Sequence, residues 1–388
     1  MPYWNLIYYT DLALFILVSL TVLYMGVFAL ASMFSKHSNV PKARIENRFI
    51  VLIPAYKNGP GALQTVHSIL GQDYPQRLFD VTVISDHVDE LSNFRLAQEP
   101  ITLLTPNFAK SSRAKSLQLA VNNLPQFKIY DVIILMNPGT LVEPNFLSEI
   151  NDAYENAGTK AIQAHRVAQN RDTAPARLSG IFEEINNSIF RRGHIALGLS
   201  AATAGSAMAF DFNWFKEHIK TAKTSWDDKE LEILLLRQHI FVDYYDHIVA
   251  FEQKFRSADE FNRQRGRWTL SQVVTSLRNV RYLPGAILER HYDLIDKILQ
   301  WMLMPRIVMM IIIMGMGSVL PFIYFTLALK WWLLFVIVLF IFALATPNYM
   351  VDKNWNKTFF MIPAIVASSV FSKTPFGPKL KQYVNRKL

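Results

Sequence analysis

The sequence predicts an α/β domain with a mostly parallel β-sheet, joined to about three transmembrane helices. Two observations lead to this prediction. Residues from about 47 to 260 contain no apolar run long enough to cross a bilayer, and short β-rich runs alternate there with helical stretches. Long uncharged apolar runs lie on both sides of this region, and a helix needs about 20 such residues to cross a bilayer.

Composition agrees with a membrane protein that also carries a polar domain. Hydrophobic residues make up 51% of the chain and charged residues 18%. The absence of cysteine excludes disulfides, thiolate metal sites and a cysteine nucleophile. The net charge of +9 is compatible with nucleic-acid binding. The excess clusters beside the apolar runs, however, so we expect membrane lipids rather than nucleic acid as partners.

The first apolar run, Leu12 to Phe34, is uncharged and long enough to span a bilayer. A secretory signal peptide would carry positive charge ahead of its apolar core. Here no Lys or Arg precedes the run, whereas Lys36, Lys42 and Arg44 follow it. Residues 1–46 are therefore interpreted as a transmembrane helix and a linker, with the N-terminus outside and the following domain in the cytoplasm.

Two further runs, Ile307 to Leu329 and Trp331 to Val351, are separated only by Lys330 and predict a transmembrane hairpin over residues 307–351. Residues 352–388 hold a shorter apolar stretch and a basic tail, which we interpret as an interfacial or re-entrant segment. Three spans place the C-terminus in the cytoplasm, in agreement with its positive charge. The chain is thus expected to be a multi-pass protein of the inner (cytoplasmic) membrane.

Three β-rich runs in the middle region predict neighbouring strands: Phe49 to Ile53, Asp80 to Ser85 and Tyr130 to Met136. Helical stretches, Gly61 to Leu70 and Ser112 to Asn123, lie between them. Apolar strands that alternate with helices are typical of a parallel sheet covered on both faces. Ligands bind beyond the carboxyl ends of such strands, so the residues after each strand are candidate site residues.

Each of these runs ends in residues that can contact a ligand. The first ends at Pro54-Ala55-Tyr56, where an aromatic ring can pack near a base, although a plain strand-ending turn explains the same residues. The second ends at Asp86, whose carboxylate can accept a hydrogen bond from a nucleobase or ribose; helix N-capping is the common alternative. The third ends at Asn137-Pro138-Gly139.

A basic and aromatic pentapeptide, Gln264-Arg265-Gly266-Arg267-Trp268, precedes the C-terminal apolar runs. Arginine side chains bind phosphate oxygens in pairs, and an indole ring can stack on a sugar. The alternative is a basic juxtamembrane anchor with an interfacial tryptophan. Residues 269–306 then show apolar residues at helical spacing, broken at Pro284-Gly285. They predict amphipathic interface helices, with helices packed on the sheet as the alternative.

In combination, these motifs resemble those of the family 2 glycosyltransferases with the GT-A fold, which is Rossmann-like. Membrane-bound members include cellulose- and hyaluronan-synthase-like enzymes. The resemblance covers roughly residues 47–350 and implies a GT-A domain over residues 47–268. It also implies nucleotide-sugar binding by the residues that match the family's donor motifs; these are Pro54, Tyr56, Asp86 and Lys115. For Lys115, a solvated place on a helix surface is the alternative.

The resemblance also assigns acceptor-side residues. Asp227 and Asp228 match the family's acidic motif, whose general base corresponds to Asp228. An acidic helix start stabilised by the helix dipole is the alternative. Gln264, Arg267 and Trp268 match the family's Gln-x-x-Arg-Trp motif. The match implies that the diphosphate contacts Arg265 and Arg267 and that the acceptor sugar contacts Trp268.

One motif departs from the family pattern. Family members carry Asp-x-Asp at the third strand end, where it binds the Mg²⁺ or Mn²⁺ that bridges the donor phosphates. Asn137 and Gly139 occupy the usual ligand positions here. A hard cation prefers charged oxygen ligands, so we expect no metal site at this turn.

The resemblance implies inverting transfer of a sugar from a nucleotide-sugar donor, of the UDP type, to a growing glycan or a lipid-linked acceptor in polysaccharide synthesis. The missing carboxylates leave an alternative open: a catalytically impaired relative that serves as a structural or regulatory subunit, with a protein partner or a second copy of itself. A transporter or channel component is disfavoured, because the apolar runs contain almost no ionisable residues.

Overall fold

The structure is a computed structural model that describes residues 2–35, 40–222 and 227–351. Its strands are β1 Phe49–Tyr56, β2 Phe79–Asp86, β3 Thr102–Leu104, β4 Val132–Leu135, β5 Thr140–Val142, β6 Ala161–Ala168, β7 Met208–Asp211 and β8 Val242–Glu252. Its helices are α1 Pro2–Ser32, α2 Gly59–Leu70, α3 Glu90–Leu96, α4 Arg113–Asn122, α5 Phe146–Ala157, α6 Ala174–Asn187, α7 Gly193–Ala196, α8 Phe212–His218, α9 Asp227–Arg237, α10 Ala258–Asn279, α11 Leu283–Leu288, α12 Tyr292–Met302, α13 Arg306–Val319 and α14 Phe325–Ala345.

The strands form one mixed sheet in the order β3-β2-β1-β4-β7-β6-β8-β5. The first four are parallel to one another, as the three apolar runs predict, and the register pairs Tyr56 with Asp86 at the ends of β1 and β2. Strand β7 runs antiparallel to both of its neighbours, and β5 runs antiparallel to β8. The predicted α/β fold is confirmed, with a sheet that is parallel on one side and mixed on the other.

Strand β1 shows why the sheet is covered on both faces. Its residues from Phe49 to Ile53 are all fully buried, and successive side chains point to opposite faces. Val51 and Ile53 pack with residues of α2, α3 and α5, whereas Ile50 and Leu52 pack with residues of α4, α8 and α9. The carboxyl ends of the strands remain open between these two layers.

Helix α1 packs tightly against the domain through the helical segment after α6. Residues Ser188–Arg192 continue α6 with wider turns and lead into α7. At the start of α7, a Cβ atom on Gly193 would lie 2.2 Å from the carbonyl oxygen of Phe28 in α1. Only glycine permits this approach of the two backbones. The N-terminal helix is therefore part of the folded domain as well as a candidate membrane span.

Two helical segments are long and apolar enough to cross a membrane, Ile7–Ser32 and Phe325–Ala345. A third crossing is added if Tyr292–Met302 and Arg306–Phe322, which meet at an angle of 52°, form one broken span. The described residues therefore contain two or three candidate membrane spans. The predicted segment from 352 to 388 lies outside the described residues.

The structure moves the expected hairpin turn. The sequence suggested a turn at Lys330, but α13 ends at Val319 and α14 begins at Phe325, so Lys330 lies inside a helix. The reason is a partner in α1: Asp11 is 1% exposed and forms an ion pair with Lys330. The indole Nε1 of Trp331 also donates to Asp11, at 2.7 Å. A paired charge is tolerated where a lone one would mark a helix end.

The segment after the pentapeptide is helical, but its boundaries differ from the prediction. Helix α10 begins at Ala258, so Gln264 to Trp268 lie within it rather than before it. Pro284 stands in the first turn of α11, where proline starts a helix without cost. Several large apolar side chains on α10 to α12 are exposed: Leu270, Val273, Leu277, Ile287, Leu288, Tyr292, Leu299 and Met302.

Helix α12 is attached to both the domain and α1 by buried polar pairs. Lys297 is 1% exposed, and its Nζ lies 3.1 Å from Glu232 in α9. The neighbouring Asp296 accepts a hydrogen bond from Tyr24 of α1 at 2.7 Å and lies 3.0 Å from Nε2 of the buried His194. These contacts fix the orientation of the domain relative to α1 and α12.

Candidate active site

Two adjoining cavities lie at the carboxyl ends of the strands. The strand-end cavity, of about 780 Å³, is lined by Asn58, Asn137, Glu183, Lys254 and their neighbours. The membrane-side cavity, of about 400 Å³, is lined by Asp228 and by residues of α1, α12 and α13. Both cavities share a wall made of Asn137, Arg166, Asn186, Glu252, Gln264, Arg265 and Trp268. A ligand bound at this wall therefore borders both cavities.

The turn after β4 is held against α2. Gly139 adopts φ +89°, a conformation that favours glycine, and its N–H donates to the carbonyl oxygen of Gly61 at 2.9 Å and to the hydroxyl of Thr65 at 3.0 Å. The N–H of Asn137 donates to the Ser206 hydroxyl at 2.9 Å. These bonds fix the turn that stands where the family's metal ligands are expected.

The loop that precedes β7 forms the floor of the membrane-side cavity. Gly205 has φ +77°, and its carbonyl oxygen accepts a hydrogen bond from Arg113 of α4. The N–H of Ala204 donates to the Gln163 side chain at 2.8 Å, and the carbonyl oxygen of Ala204 accepts from Arg166. The loop therefore connects β6, α4 and the end of β4.

Asp228 stands in the first turn of α9 and borders this floor. A Cβ atom on Gly205 would lie 3.6 Å from the Asp228 carboxylate oxygen Oδ2. One turn later in α9, Glu232 accepts from the N–H of Thr203 at 2.9 Å and is paired with Lys297. Asp228 thus faces the membrane-side cavity from a helix that Glu232 anchors one turn further along the same face. The side chain of Asp227 lies outside the described structure.

Helix α10 brings three residues of the pentapeptide to the shared wall. Arg265 lies over the rings of Phe182, Phe261 and Trp268, at 4.3, 5.2 and 5.7 Å from their centroids. Burial lowers the pKa of Arg265 to about 10, which leaves the guanidinium charged at neutral pH. Gln264 and Trp268 line the same wall. Their helical spacing of four residues puts them on one face.

Arg267 is placed differently from its neighbours. It is exposed and lines neither of the two cavities, because it lies on the opposite side of α10 from Arg265. The sequence-based expectation grouped both arginines at the diphosphate. The structure brings only Arg265 to the shared wall.

The expected nucleoside-binding residues lie at the ends of β1 and β2. Tyr56 is 54% exposed and packs edge-on against His87, with ring centroids 5.9 Å apart, and Pro54 lies within β1. Asp86 is 2% exposed, and one of its carboxylate oxygens lies 2.6 Å from Nδ1 of His87. These residues form a group beside the strand-end cavity rather than in its lining.

Lys115 faces solvent, and its Nζ donates to the carbonyl oxygen of Lys110 at 2.9 Å. The basic residue of α4 that reaches the membrane-side cavity is Arg113, two positions earlier. Residues two apart on a helix point in different directions, so only one of them can face the floor. Sequence reasoning missed Arg113 because the family motif begins at the lysine.

Sequence reasoning also missed a buried ionic network in the wall. Glu183 in α6 is 4% exposed and lies 3.3 Å from Arg191, 3.5 Å from Lys254 and 3.8 Å from Arg166. Glu252 pairs with Arg166 and lies 2.7 Å from Lys254. A signal was present in the sequence: Gln163, His165 and Arg166 interrupt β6, an otherwise apolar and fully buried strand.

The charges of this network set the ionisation of its carboxylates. Burial raises the pKa of Glu183, but Arg166, Lys254 and Arg191 lower it more, so the net pKa is well below its ordinary value. Burial also raises the pKa of Glu252, but the cations Arg166 and Lys254 lower it more, and the resulting pKa is about 2. Both carboxylates are therefore charged at neutral pH.

Comparison with known proteins decides the family. The model of the family described as Glycosyltransferase like family 2 matches residues 47–271, more than half of the chain. The chain belongs to this family. The resemblance inferred from its motifs is confirmed, and the match includes the pentapeptide and Asp228. No curated protein sequence matches the chain.

One solved structure supports the GT-A-like fold of this glycosyltransferase family 2 member. The mannosyltransferase PcManGT from Pyrobaculum calidifontis, solved with GDP-Man and Mn²⁺, superposes with a TM-score of 0.52 at 13% identity. The alignment covers 84% of this chain and 99% of that one. TarS residues 1–349 from S. aureus give a TM-score of 0.43 at 11% identity, over 88% of this chain and 90% of that one. At 13% identity the likeness to PcManGT concerns the fold alone.

A divalent metal is expected in this family, but the residues at the usual position do not fit one. Pro138 and Gly139 carry no ligand atom in their side chains, and Asn137 offers one neutral amide oxygen. Within the described ranges, the side chains grouped closely enough to hold a metal are His239, Glu289 and His291. None of the three lines either cavity. No step is therefore assigned to a metal.

Proposed function

We propose that the protein is an inverting glycosyltransferase that uses a nucleotide-sugar donor and Asp228 as its general base. The observation that carries the proposal is the shared wall. Asp228 in α9 and Gln264, Arg265 and Trp268 in α10 line one cavity with Asn137, which follows β4. These elements are far apart in the sequence, and a cavity at strand ends is the usual place for a ligand in α/β folds.

The chemistry needs a base, an activated sugar and a way to stabilise the leaving group. Asp228 accepts the proton of an acceptor hydroxyl while the hydroxyl oxygen bonds to the anomeric carbon of the donor. The bond from that carbon to the nucleoside diphosphate breaks on the opposite face, and the diphosphate leaves with the electron pair. A carboxylate suits this role because the hydroxyl becomes acidic as the new bond forms.

Fixed cations that line the two cavities support stabilisation of the leaving diphosphate. Arg166, Arg191 and Lys254 carry three positive charges, against two negative charges on Glu183 and Glu252. Arg265 adds a further charge, held by aromatic rings. Preorganised cations in a partly desolvated site stabilise a developing charge without reorganisation. In this proposal they take over the role that a metal has in other members.

The donor is proposed to be a UDP-type sugar. Its base lies at the ends of β1 and β2, near Tyr56 and Asp86, and its diphosphate extends along the shared wall. Trp268 stacks on the acceptor sugar, and Gln264 contributes at the shared wall. We further propose that α1 spans the inner membrane with the domain on the cytoplasmic side, and that the product enters polysaccharide synthesis.

A second candidate function rests on the departure at Asn137. Without carboxylates at this turn, the chain can instead be a catalytically impaired relative that binds a nucleotide and acts as a subunit of a membrane assembly. The two functions differ in turnover. Both allow binding of a nucleotide at the strand ends.

Turnover of a nucleotide sugar is the direct test. The full chain in membranes, offered a panel of nucleotide sugars, is expected to release nucleoside diphosphate and to label a membrane or glycan fraction. A Trp268→Ala variant is expected to transfer about tenfold more slowly, because stacking on a sugar or base is worth about 1–3 kcal/mol. Donor binding without turnover, for every sugar in the panel, would favour the subunit function.

Metal dependence gives a separate prediction. Titration of the protein with UDP is expected to give the same Kd in EDTA, Mg²⁺ and Mn²⁺, because arginine and lysine side chains provide the positive charge. Isothermal titration calorimetry in each buffer measures this directly. An increase in affinity of tenfold or more with Mn²⁺ would show that ligands other than Asn137 and Gly139 hold a metal.

A further inference from the structure

The membrane-side cavity is built partly from segments that belong to the bilayer. Thr21 and Met25 of α1 line it, together with Trp301 at the end of α12 and Ile307 at the start of α13. Thr21 and Met25 lie within the candidate span Ile7–Ser32. The cavity that contains Asp228 therefore borders the apolar helices, whereas the strand-end cavity lies within the α/β domain.

The break between α12 and α13 forms the wall of this cavity. Leu303, Met304 and Pro305 connect the two helices and line it. The freed backbone groups have partners: the carbonyl oxygen of Leu303 accepts from Gln272 at 2.8 Å, and the N–H of Met304 donates to the Thr21 hydroxyl at 3.4 Å. Irregular backbone at membrane depth is tolerated where protein or a polar cavity surrounds it.

Arg306 follows this break and adds a cation to the lining of the cavity. Its guanidinium contacts Asn186 and lies 5.3 Å from the centroid of the Phe190 ring, while its Nη1 is buried without a hydrogen-bond partner. Within the part of the chain that the structure describes, neither Arg306 nor Arg265 forms an ion pair with a carboxylate. Both line the membrane-side cavity. A buried guanidinium with an unused donor is a site for an anion.

We propose that this cavity holds the acceptor as a lipid-linked saccharide, with its phosphate on Arg306 and its reacting hydroxyl at Asp228. The lipid chain lies beside α1 and α13, and a sugar ring rests against Trp268. The inference rests on the proposed function and names its acceptor class. A volume of about 400 Å³ accommodates a headgroup, which fits a membrane-borne acceptor better than a long free glycan.

The reaction leaves the lipid phosphate unchanged. A hydroxyl of the lipid-borne sugar gives its proton to Asp228 and forms the new bond to the donor's anomeric carbon. The donor's bond to the nucleoside diphosphate breaks, and that diphosphate leaves through the strand-end cavity. Arg306 acts as a binding residue, since it fixes the acceptor phosphate and takes no part in proton transfer.

Binding measurements on the full chain in phosphatidylcholine nanodiscs test the proposal without turnover. The probes are farnesyl diphosphate, farnesol and inorganic diphosphate. Farnesyl diphosphate is expected to bind at least about tenfold more tightly than either of the others, since both the chain and the charge are recognised. Arg306→Gln is expected to remove that preference, and Arg306→Lys to retain part of it. Arg263→Gln, an exposed arginine that lines neither cavity, is the matched control.

Two results would overturn the proposal. Equal affinity for farnesyl diphosphate and farnesol would mean that no phosphate site is present. If Arg306→Gln weakens the binding of inorganic diphosphate and UDP as strongly as the binding of farnesyl diphosphate, Arg306 belongs to the donor site. The melting temperature of each variant separates a lost site from a lost fold. Because no sugar is transferred in this assay, its result is independent of whether Asp228 is the base.

Discussion

Replacement of Asp228 by Asn is expected to lower the rate of sugar transfer by about two to four orders of magnitude, the usual contribution of a general base. The amide has almost the same shape as the carboxylate but cannot accept the acceptor proton. Since the role is confined to the transition state, kcat is expected to fall while KM for the donor stays nearly constant. Initial rates with a labelled nucleotide sugar measure both quantities.

Glu230→Gln is the matched control for this change. It lies on the same helix, two residues after Asp228, and lines neither of the two cavities of the active site. It is expected to keep its activity within about twofold, because its side chain lines neither cavity. If Asp228→Asn retains its full rate while an active donor is turned over, the base is a different residue.

Replacement of Glu183 by Gln is expected to destabilise the folded protein by about 3–5 kcal/mol, because it leaves buried cations without their counter-charge. Arg166, Arg191 and Lys254 all lie within 3.8 Å of this carboxylate. The measurement is thermal unfolding of the full chain in detergent. Asp172→Asn is the control, since Asp172 and its partner Arg256 form an exposed ion pair whose loss changes stability by about 1 kcal/mol at most.

The same network predicts how stability depends on pH. The folded-state pKa values of Glu183 and Glu252 are lowered, so both groups favour the folded state above the pKa of an unfolded glutamate, about 4.3. This contribution is lost as the pH falls from about 4.3 towards the folded pKa of Glu252, about 2. Melting temperatures measured between pH 7 and pH 3 are expected to fall in the acid range, with a shallower fall in Glu183→Gln. Equal slopes would mean that the carboxylate is not buried among cations.

The strands and their ends were predictable because their signals are local. Phe49 to Ile53 is apolar throughout, which is typical of a strand buried on both faces, and Pro54 and Tyr56 follow at its end. The pentapeptide was predictable as a unit because it matches a family motif. The orientation of α10 places Arg265 at the shared wall and Arg267 in solvent. A sequence motif does not specify this orientation.

The parts that escaped prediction depend on partners distant in sequence. Lys330 resembled a helix boundary because its partner Asp11 lies in another helix, more than 300 residues earlier in the chain. Arg166 had no visible role until β6, α6 and β8 brought Glu183 and Glu252 to it. Charges in apolar segments were therefore the positions where local reasoning was weakest.

The buried pairs that attach α12 also limit how this protein can be prepared as a water-soluble enzyme. Removal of the apolar helices would separate Lys297 from Glu232, and would separate Tyr24 and Asp296 from His194. Uncompensated polar groups would then be left in the interior, one of them a single turn from Asp228. Solubilisation therefore calls for detergent or nanodiscs around the whole chain, and a shortened version needs these interior groups replaced as well.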